Sequence, residues 1–173
     1  FAARVHDPDT RVIVLRGAGS SFCAGLDLRE MTGLIGELDT VGRLRFQQRL
    51  SSIFVAMRRC PQPVVSLVQG AAAGGGFALA LASDIRLCTP DARMHAAFIK
   101  VGLSGCDVGM SYLLPRALGS SVAAEMLMTG SVLDAARAAA LGFVSAVVPA
   151  AELEQAGARM VDSLLQADPL GLA

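Results

Sequence analysis

Two glycine-rich segments, at residues 17–25 and 70–76, are the parts of this chain best suited to chemistry. Each follows a run of strand-forming residues and precedes a run that favours a helix. Because glycine carries no side chain, such a loop can bring backbone N–H groups close to a ligand, and the following helix adds the positive end of its dipole. Two converging N–H donors would stabilise a carbonyl oxygen as it becomes an oxyanion. Each donor is typically worth about 3 kcal/mol in the transition state.

Neither segment matches a common nucleotide-binding motif. Gly17 and Gly19 follow a strand, as in a dinucleotide-binding loop, but the third glycine is missing and no helix opens at once. Lys100 is the only lysine and does not follow a glycine loop, which excludes a Walker-type phosphate site. The four cysteines, at positions 23, 60, 88 and 106, form no C-x-x-C pair and have no nearby histidine, so a metal site is not expected.

The composition is that of one globular domain with a substantial core, since 53% of the 173 residues are apolar and 17% are charged. Fifteen basic and fifteen acidic side chains cancel, which leaves no electrostatic basis for binding nucleic acid or an anionic membrane surface. Residues 63–82 are apolar enough to suggest a membrane span, but glycines interrupt them, so we interpret them as a strand, a glycine loop and a buried helix. Four free thiols favour a reducing, cytoplasmic compartment.

The elements that would hold the glycine loops alternate between strand and helix, which predicts an α/β fold. Strand-forming runs predict strands at residues 12–15, 64–68, 84–88 and 143–148, and the first two are expected to be buried on both faces. Helical spacing predicts helices at residues 44–59 and 77–83, a helix ending at Gly119 and a last helix from Leu153. Asp27 is expected to cap a helix start, whereas residues 31–43 show no clear periodicity.

Residues 21–28 read SFCAGLDL, which closely resembles the first oxyanion motif of the enoyl-CoA hydratase/isomerase (crotonase) family. Residues 69–76 read QGAAAGGG and resemble the second motif of that family. Shorter matches follow in family order at residues 82–85 (ASDI), 114–119 (LPRALG), 127–130 (LMTG) and 139–144 (AALGFV). These matches cover nearly the whole chain, so it is identified as a member of this family.

The resemblance implies a fold and a site. The fold would be the family's spiral of ββα units with flanking helices, formed by a single domain over residues 1–173. The backbone N–H groups of Ala24 and Gly75 would form the oxyanion hole. Further residues would contact the substrate, mostly along the path of the CoA pantetheine and adenine: Phe22, Gly25, Leu26, Asp27, Leu28, Gly74 and Phe98.

Family members usually assemble as trimers or pairs of trimers, so a homotrimer or hexamer is expected here. They generally start with an additional strand hairpin and finish with trimer-contacting helices. Neither feature is recognisable in this sequence, which opens at Phe1 without a methionine. We therefore expect the chain to be a fragment and its CoA pocket to be incomplete.

The chain departs from the family at the two glutamates that hydratases use to deliver water across a double bond. One of them lies two residues after the Gly-Gly-Gly run, where this chain has Ala78. The other lies four residues before the glycine of the next loop, where this chain has Phe98. Neither side chain can move a proton, and none of the five glutamates falls in either position. Two-glutamate hydration is therefore not expected.

Asp107 is the candidate acid–base residue that remains. Counted back from Gly119, it occupies the position where dienoyl-CoA isomerases and 4-chlorobenzoyl-CoA dehalogenases carry a working aspartate. The alternative is an ordinary N-cap of the helix that follows, and one residue can do both. His95 and Tyr112 are more readily interpreted as structural residues.

These features predict an enzyme of fatty-acid metabolism that binds an acyl-CoA thioester and stabilises its enolate-type oxyanion. No cofactor is expected beyond the coenzyme A of the substrate. Hydratase/isomerase chemistry is the family's reaction. The missing glutamates leave two alternatives open, namely an isomerase or thioester hydrolase that uses Asp107, and an acyl-CoA-binding protein without turnover.

Overall fold

The computed structural model describes Asp7 and residues 9–172 as a mixed α/β domain. This confirms the predicted fold class. The strands are β1 (Ile13–Arg16), β2 (Val64–Val68), β3 (Ala71–Ala73), β4 (Ile85–Cys88), β5 (Arg93–His95), β6 (Val132–Asp134) and β7 (Ala146–Val147). The α-helices are α1 (Leu28–Glu37), α2 (Thr40–Arg59), α3 (Gly75–Ala82), α4 (Met110–Leu118), α5 (Ser120–Thr129), α6 (Ala135–Ala140), α7 (Leu153–Leu165) and α8 (Pro169–Leu172). Short 3-10 helices lie at Ala97–Val101, Asp107–Gly109 and Ala150–Glu152.

Four strands form a parallel sheet in the order β1-β2-β4-β7. The four runs predicted as strands correspond to these four strands. Every residue of β2 is buried, as its β-branched sequence predicts for a central strand. β1 differs from its prediction because it lies at the sheet edge, where Val14 is 43% exposed.

A second sheet of three-residue strands, in the order β3-β5-β6, was not predicted. β3 runs parallel to β5, and β6 runs antiparallel to β5. Part of the segment predicted as the second glycine loop is therefore a strand: residues 71–73 pair with Arg93–His95. An isolated parallel bridge joins Cys23 to Ala72 and ties the first glycine loop to this sheet.

One apolar cluster packs on each face of the four-stranded sheet. Val64, Val68 and Cys88 belong to the larger cluster, which includes buried residues of helices α2 to α6. Val65, Leu67 and Leu87 pack on the opposite face with Leu153 and Ala156 of α7. The sheet and helix α3 therefore form a rigid support behind the second glycine loop, since α3 has six buried residues of eight.

Candidate active site

The two glycine loops are joined by backbone hydrogen bonds. The N–H of Phe22 donates to Gln69 O at 2.7 Å, and the N–H of Cys23 donates to Ala71 O at 3.1 Å. In return, the N–H of Ala73 donates to Cys23 O at 3.0 Å. This ladder ends just before Ala24 on one loop and just before Gly74 and Gly75 on the other.

Gly25 and Gly76 are required by this close approach. A Cβ on Gly76 would lie 1.9 Å from Cys23 O, a distance that backbone atoms cannot relieve by changing rotamer. Gly25 has φ +96°, and a Cβ there would lie 2.9 Å from Ala73 O and 3.8 Å from Gly75 N. Glycine at these two positions thus lets the backbone of one loop contact the backbone of the other.

The N–H groups of Ala24 and Gly75 are free to bind a ligand. Within residues 9–172, no acceptor takes either of them. Gly75 is the first residue of α3, where N–H groups have no intrahelical partner and the helix dipole is positive. Gly74 precedes the helix. A hydrogen bond from its N–H to His95 O, 3.0 Å long, holds it in place.

Ala24 and Gly75 both line one cavity of about 300 Å³. Its wall is mainly apolar and comes from both glycine loops, α1, α2, α3 and the segment 97–108. The lining residues include Met31, Phe46, Gln47, Leu50, Ile53, Phe54, Leu79, Ala97, Val101, Leu103 and Val108. An apolar cavity with few polar groups is typical of a small-molecule site, and it strengthens electrostatic interactions inside it.

Most of the residues predicted for the site line this cavity: Ala24, Gly25, Leu26, Leu28, Gly74, Gly75, Phe98 and Asp107. Phe22 and Asp27 lie beside it. Phe22 is a buried core residue, 8% exposed. The exposed Asp27 caps α1 as expected, since its Oδ1 accepts the N–H of Arg29 at 2.9 Å.

Asp107 is held by two donors, and neither makes it an ordinary helix cap. Its Oδ1 accepts the N–H of Val108 at 2.8 Å and a hydrogen bond from Nε2 of Gln47. The N-cap of α4 is instead Gly109, which has φ +83°. Val108 itself has φ +45°, an outlier for a β-branched residue. The half-buried carboxylate is therefore fixed by its surroundings at the cavity wall.

The two positions that lack the family glutamates differ in their surroundings. Ala78 is 1% exposed and packs in the core, so its methyl group does not line the cavity. Phe98 does line the cavity, and its ring comes within 3.8 Å of the Cβ position of Gly74. A phenyl ring therefore lies beside the second glycine loop and makes that side of the cavity apolar.

The remaining candidate side chains lie outside this cavity. Burial, followed by the charge of Lys100, lowers the pKa of His95 below its ordinary value, and its Nδ1 is buried without a partner in the described part of the chain. Tyr112 is 60% exposed and stacks on the Arg116 guanidinium at 3.6 Å. Cys106 is exposed but does not line the cavity. None of these three side chains therefore lies at the cavity beside Ala24 and Gly75.

Sequence reasoning missed Gln47. It lies on α2 and reaches Asp107, which is 60 residues further along the chain. The helical pattern of residues 44–59 predicted its element but gave no signal that singled out Gln47 from the neighbouring Gln48. The apolar residues that α2 contributes to the cavity were also missed, since they are indistinguishable in sequence from ordinary core residues.

Among Asp7 and residues 9–172, no three His, Cys, Asp or Glu side chains are grouped as metal ligands would be. Over the same residues, no helix is both long and apolar enough to cross a membrane.

The fold and the paired backbone donors define a class: α/β proteins that could stabilise an oxyanion with main-chain N–H groups beside an apolar cavity. A family model described as enoyl-CoA hydratase/isomerase matches residues 1–173. The chain therefore belongs to the enoyl-CoA hydratase/isomerase family. This confirms the resemblance drawn from the motifs.

Several relatives support this assignment. A probable enoyl-CoA hydratase of Mycobacterium tuberculosis is 41% identical over 152 residues, which are 86% of this chain and 53% of that protein. The mitochondrial Δ(3,5)-Δ(2,4)-dienoyl-CoA isomerase of Homo sapiens is 37% identical over 156 residues, 86% of this chain and 47% of its own. The chain thus spans about half the length of the curated relatives it matches.

Solved structures agree on the fold. An enoyl-CoA hydratase/isomerase from Cupriavidus metallidurans CH34 superposes with a TM-score of 0.90 at 36% identity, covering 99% of this chain and 63% of the other. An enoyl-CoA hydratase from Polaromonas sp. JS666 also gives 0.90, at 34% identity, covering 99% and 66%. The predicted crotonase-like fold is confirmed.

Proposed function

We propose that the full-length protein forms the enolate of an acyl-CoA thioester and moves a double bond along the acyl chain, as part of fatty-acid metabolism. The observation that carries the proposal is that Ala24 and Gly75, whose N–H groups have no acceptor in the described part of the chain, line the same apolar cavity as Asp107. No glutamate among residues 9–172 lines this cavity. The substrate class comes from the family to which the chain belongs.

The proposed binding step uses the backbone. The thioester oxygen would accept hydrogen bonds from the N–H groups of Ala24 and Gly75. These donors are fixed by the ladder between the loops, so they need little reorganisation as negative charge develops on the oxygen. Such a donor typically contributes about 3 kcal/mol to the transition state.

The proposed chemical step uses Asp107. The carboxylate takes a proton from the carbon next to the thioester, and the electrons of that C–H bond move toward the carbonyl oxygen to form the enolate. For a 3-enoyl-CoA, return of the proton at carbon 4 moves the double bond to carbon 2. The reaction consumes no water and needs no cofactor besides the coenzyme A carried by the substrate.

Mass spectrometry on full-length protein separates this proposal from its alternatives. We expect 3-enoyl-CoA thioesters to rearrange without a change in mass in H₂O and to gain deuterium in D₂O. Hydration would add the mass of water, and a hydrolase would release free CoA. Binding without any product would indicate a non-catalytic protein. Each of the last three outcomes would contradict the proposal.

Asp107→Asn tests the role of the carboxylate. Turnover should fall by about 10²–10⁴-fold, the usual contribution of a general base. Affinity for the CoA thioester, measured by calorimetry, should stay close to wild type because the backbone donors remain. Asp162→Asn, at an exposed position on α7, is the matched control and should keep full activity. Full activity of Asp107→Asn would show that Asp107 is not the base.

We also propose that the full-length protein is a homotrimer or hexamer, as is usual in this family. Sedimentation equilibrium at micromolar concentration is the measurement. A stable monomer would contradict this assignment without affecting the proposed reaction.

A further inference from the structure

We infer that Gln47 is a positioning residue for Asp107: its side-chain amide holds one carboxylate oxygen so that the other is presented to the substrate. The inference rests on the proposed function, because it gives Asp107 a reactive oxygen. It concerns a residue on a different element, α2, whose contribution to the site follows only from the folded structure.

The two hydrogen bonds to Asp107 converge on the same oxygen. Nε2 of Gln47 and the N–H of Val108 both donate to Oδ1. Within residues 9–172, no hydrogen bond reaches Oδ2. Since Gln47 and Asp107 both line the cavity, the pair leaves one oxygen bound to the protein and the other free to take a proton.

Gln47 lies on helix α2, which is capped at its N-terminus and packed into the core further along. Helix α2 begins at Thr40, after Asp39, whose side chain accepts the N–H of Gly42 at 2.7 Å. Phe54 and Met57, further along the helix, are buried at 8% and 2% exposure. The Gln47 amide therefore projects from a helix that is capped at its start and packed into the core through its second half.

The Asp107 loop needs such an external support. Asp107 lies in a single turn of 3-10 helix, and Val108 has an unfavourable left-handed conformation with φ +45°. Such a conformation persists only where surrounding contacts enforce it. The hydrogen bond from α2 is one such contact, and it acts directly on the carboxylate rather than on the backbone of the turn.

The test measures deuterium incorporation into butyryl-CoA in D₂O, catalysed by the full-length protein. This saturated thioester cannot be hydrated, so incorporation reports removal and return of the proton at the carbon next to the thioester. Gln47→Met keeps the approximate size of the side chain and removes the donor. Gln47→Leu removes the donor with a second apolar side chain of a different shape. Gln48→Met, at an exposed neighbouring position, is the control.

We expect both Gln47 variants to lose about 10- to 100-fold in the maximal exchange rate, as is typical when the partner that orients a reacting group is removed. The half-saturating concentration of butyryl-CoA should stay unchanged, and Gln48→Met should match wild type. In the Asp107→Asn background, Gln47→Met should cause little further loss, because the two residues act as a unit.

The double mutant separates positioning from packing. If Gln47→Met lowers exchange by the same factor with and without Asp107, or raises the half-saturating concentration, Gln47 acts through binding or packing and the inference fails. Loss of exchange in Asp107→Asn together with wild-type exchange in both Gln47 variants would also overturn it. Absence of exchange in the wild type, or full exchange in Asp107→Asn, would instead refute the proposed function itself.

Discussion

The candidate site has two halves that are built differently. The half around Ala24 and Gly75 consists of main-chain groups, held by hydrogen bonds between two loops and by glycines that allow backbone contact. The half around Asp107 consists of side chains, and there the positions of both family glutamates hold Ala78 and Phe98. The first half matches the family motifs and the second does not. Main-chain donors are constrained by the fold, whereas the acid–base groups can change without changing it.

The largest expected effect concerns the side-chain half. We expect the full-length wild-type protein to hydrate crotonyl-CoA at least about 10²-fold more slowly than a hydratase that carries both glutamates, since each acid–base group is typically worth 10²–10⁴-fold. The measurement is loss of the enoyl absorbance, with product mass as a check.

Binding of crotonyl-CoA in the same preparation is the control, because it shows that the backbone half is intact. Hydration at the rate of an ordinary hydratase would mean that another acid–base pair operates. The side-chain half of the site would then be as complete as the main-chain half.

The second prediction tests the backbone half. Gly76→Ala places a Cβ 1.9 Å from Cys23 O, so the two loops must separate. We expect the free energy of unfolding to fall by roughly 3 kcal/mol or more, which is the upper end of the usual cost of overpacking. The cost is high because the clashing oxygen belongs to the backbone and cannot move aside as a side chain could. Denaturant unfolding measures it. A Cβ on Gly75 would meet nothing within 4 Å, so Gly75→Ala is the matched control for stability. Equal stability of the two variants would disprove the close-contact argument.

The smallest expected effect concerns the exposed ion pair between Glu125 and Arg137, which lies outside both halves of the site. Hydrogen bonds from Arg137, then from Ser131, lower the pKa of Glu125 to about 2. Because this folded pKa lies below the ordinary 4.5, the unfolded chain binds more protons. The stabilisation is therefore fully present above about pH 4.5 and is lost as the pH falls toward 2.

Glu125→Gln should lower the melting temperature slightly at pH 7, and the difference should shrink near pH 2 and in high salt, since exposed ion pairs are weak and screened. Glu37→Gln, an exposed glutamate at the end of α1, is the control. A difference between Glu125→Gln and wild type that persists unchanged at pH 2 would show that the ion pair is not its cause.

The sequence predicted the parts of the fold with strong local signals. The parallel sheet follows from four strand-forming runs, and all four contain strands. The second sheet could not be predicted, since its strands have three residues each and Ala71–Ala73 lacks β-branched side chains. Residues 31–43 showed no periodicity, yet most of them belong to α1 and α2. Asp27 caps the first of these helices and Asp39 caps the second, whose later turns pack in the core.

The same division holds for the site. The sequence singled out Ala24 and Gly75 because loop motifs are local in sequence, and both residues line the cavity. The surroundings of Asp107 were not found, because they depend on Gln47, 60 residues away, and on the conformation of Val108. Sequence position alone left open whether Asp107 caps a helix. The structure gives that role to Gly109.

The main-chain origin of the two donors has a consequence for how the site tolerates genetic change. Every L-amino acid except proline carries the same N–H group, so drift at exposed Ala24 changes what surrounds the donor but not the donor itself. Truncation of the side chain would leave the N–H donor in place. In a mutational scan, therefore, only substitution by proline would reveal the donor. Replacing the Ala24 or Gly75 amide with an ester by chemical ligation would remove the donor while keeping every side chain.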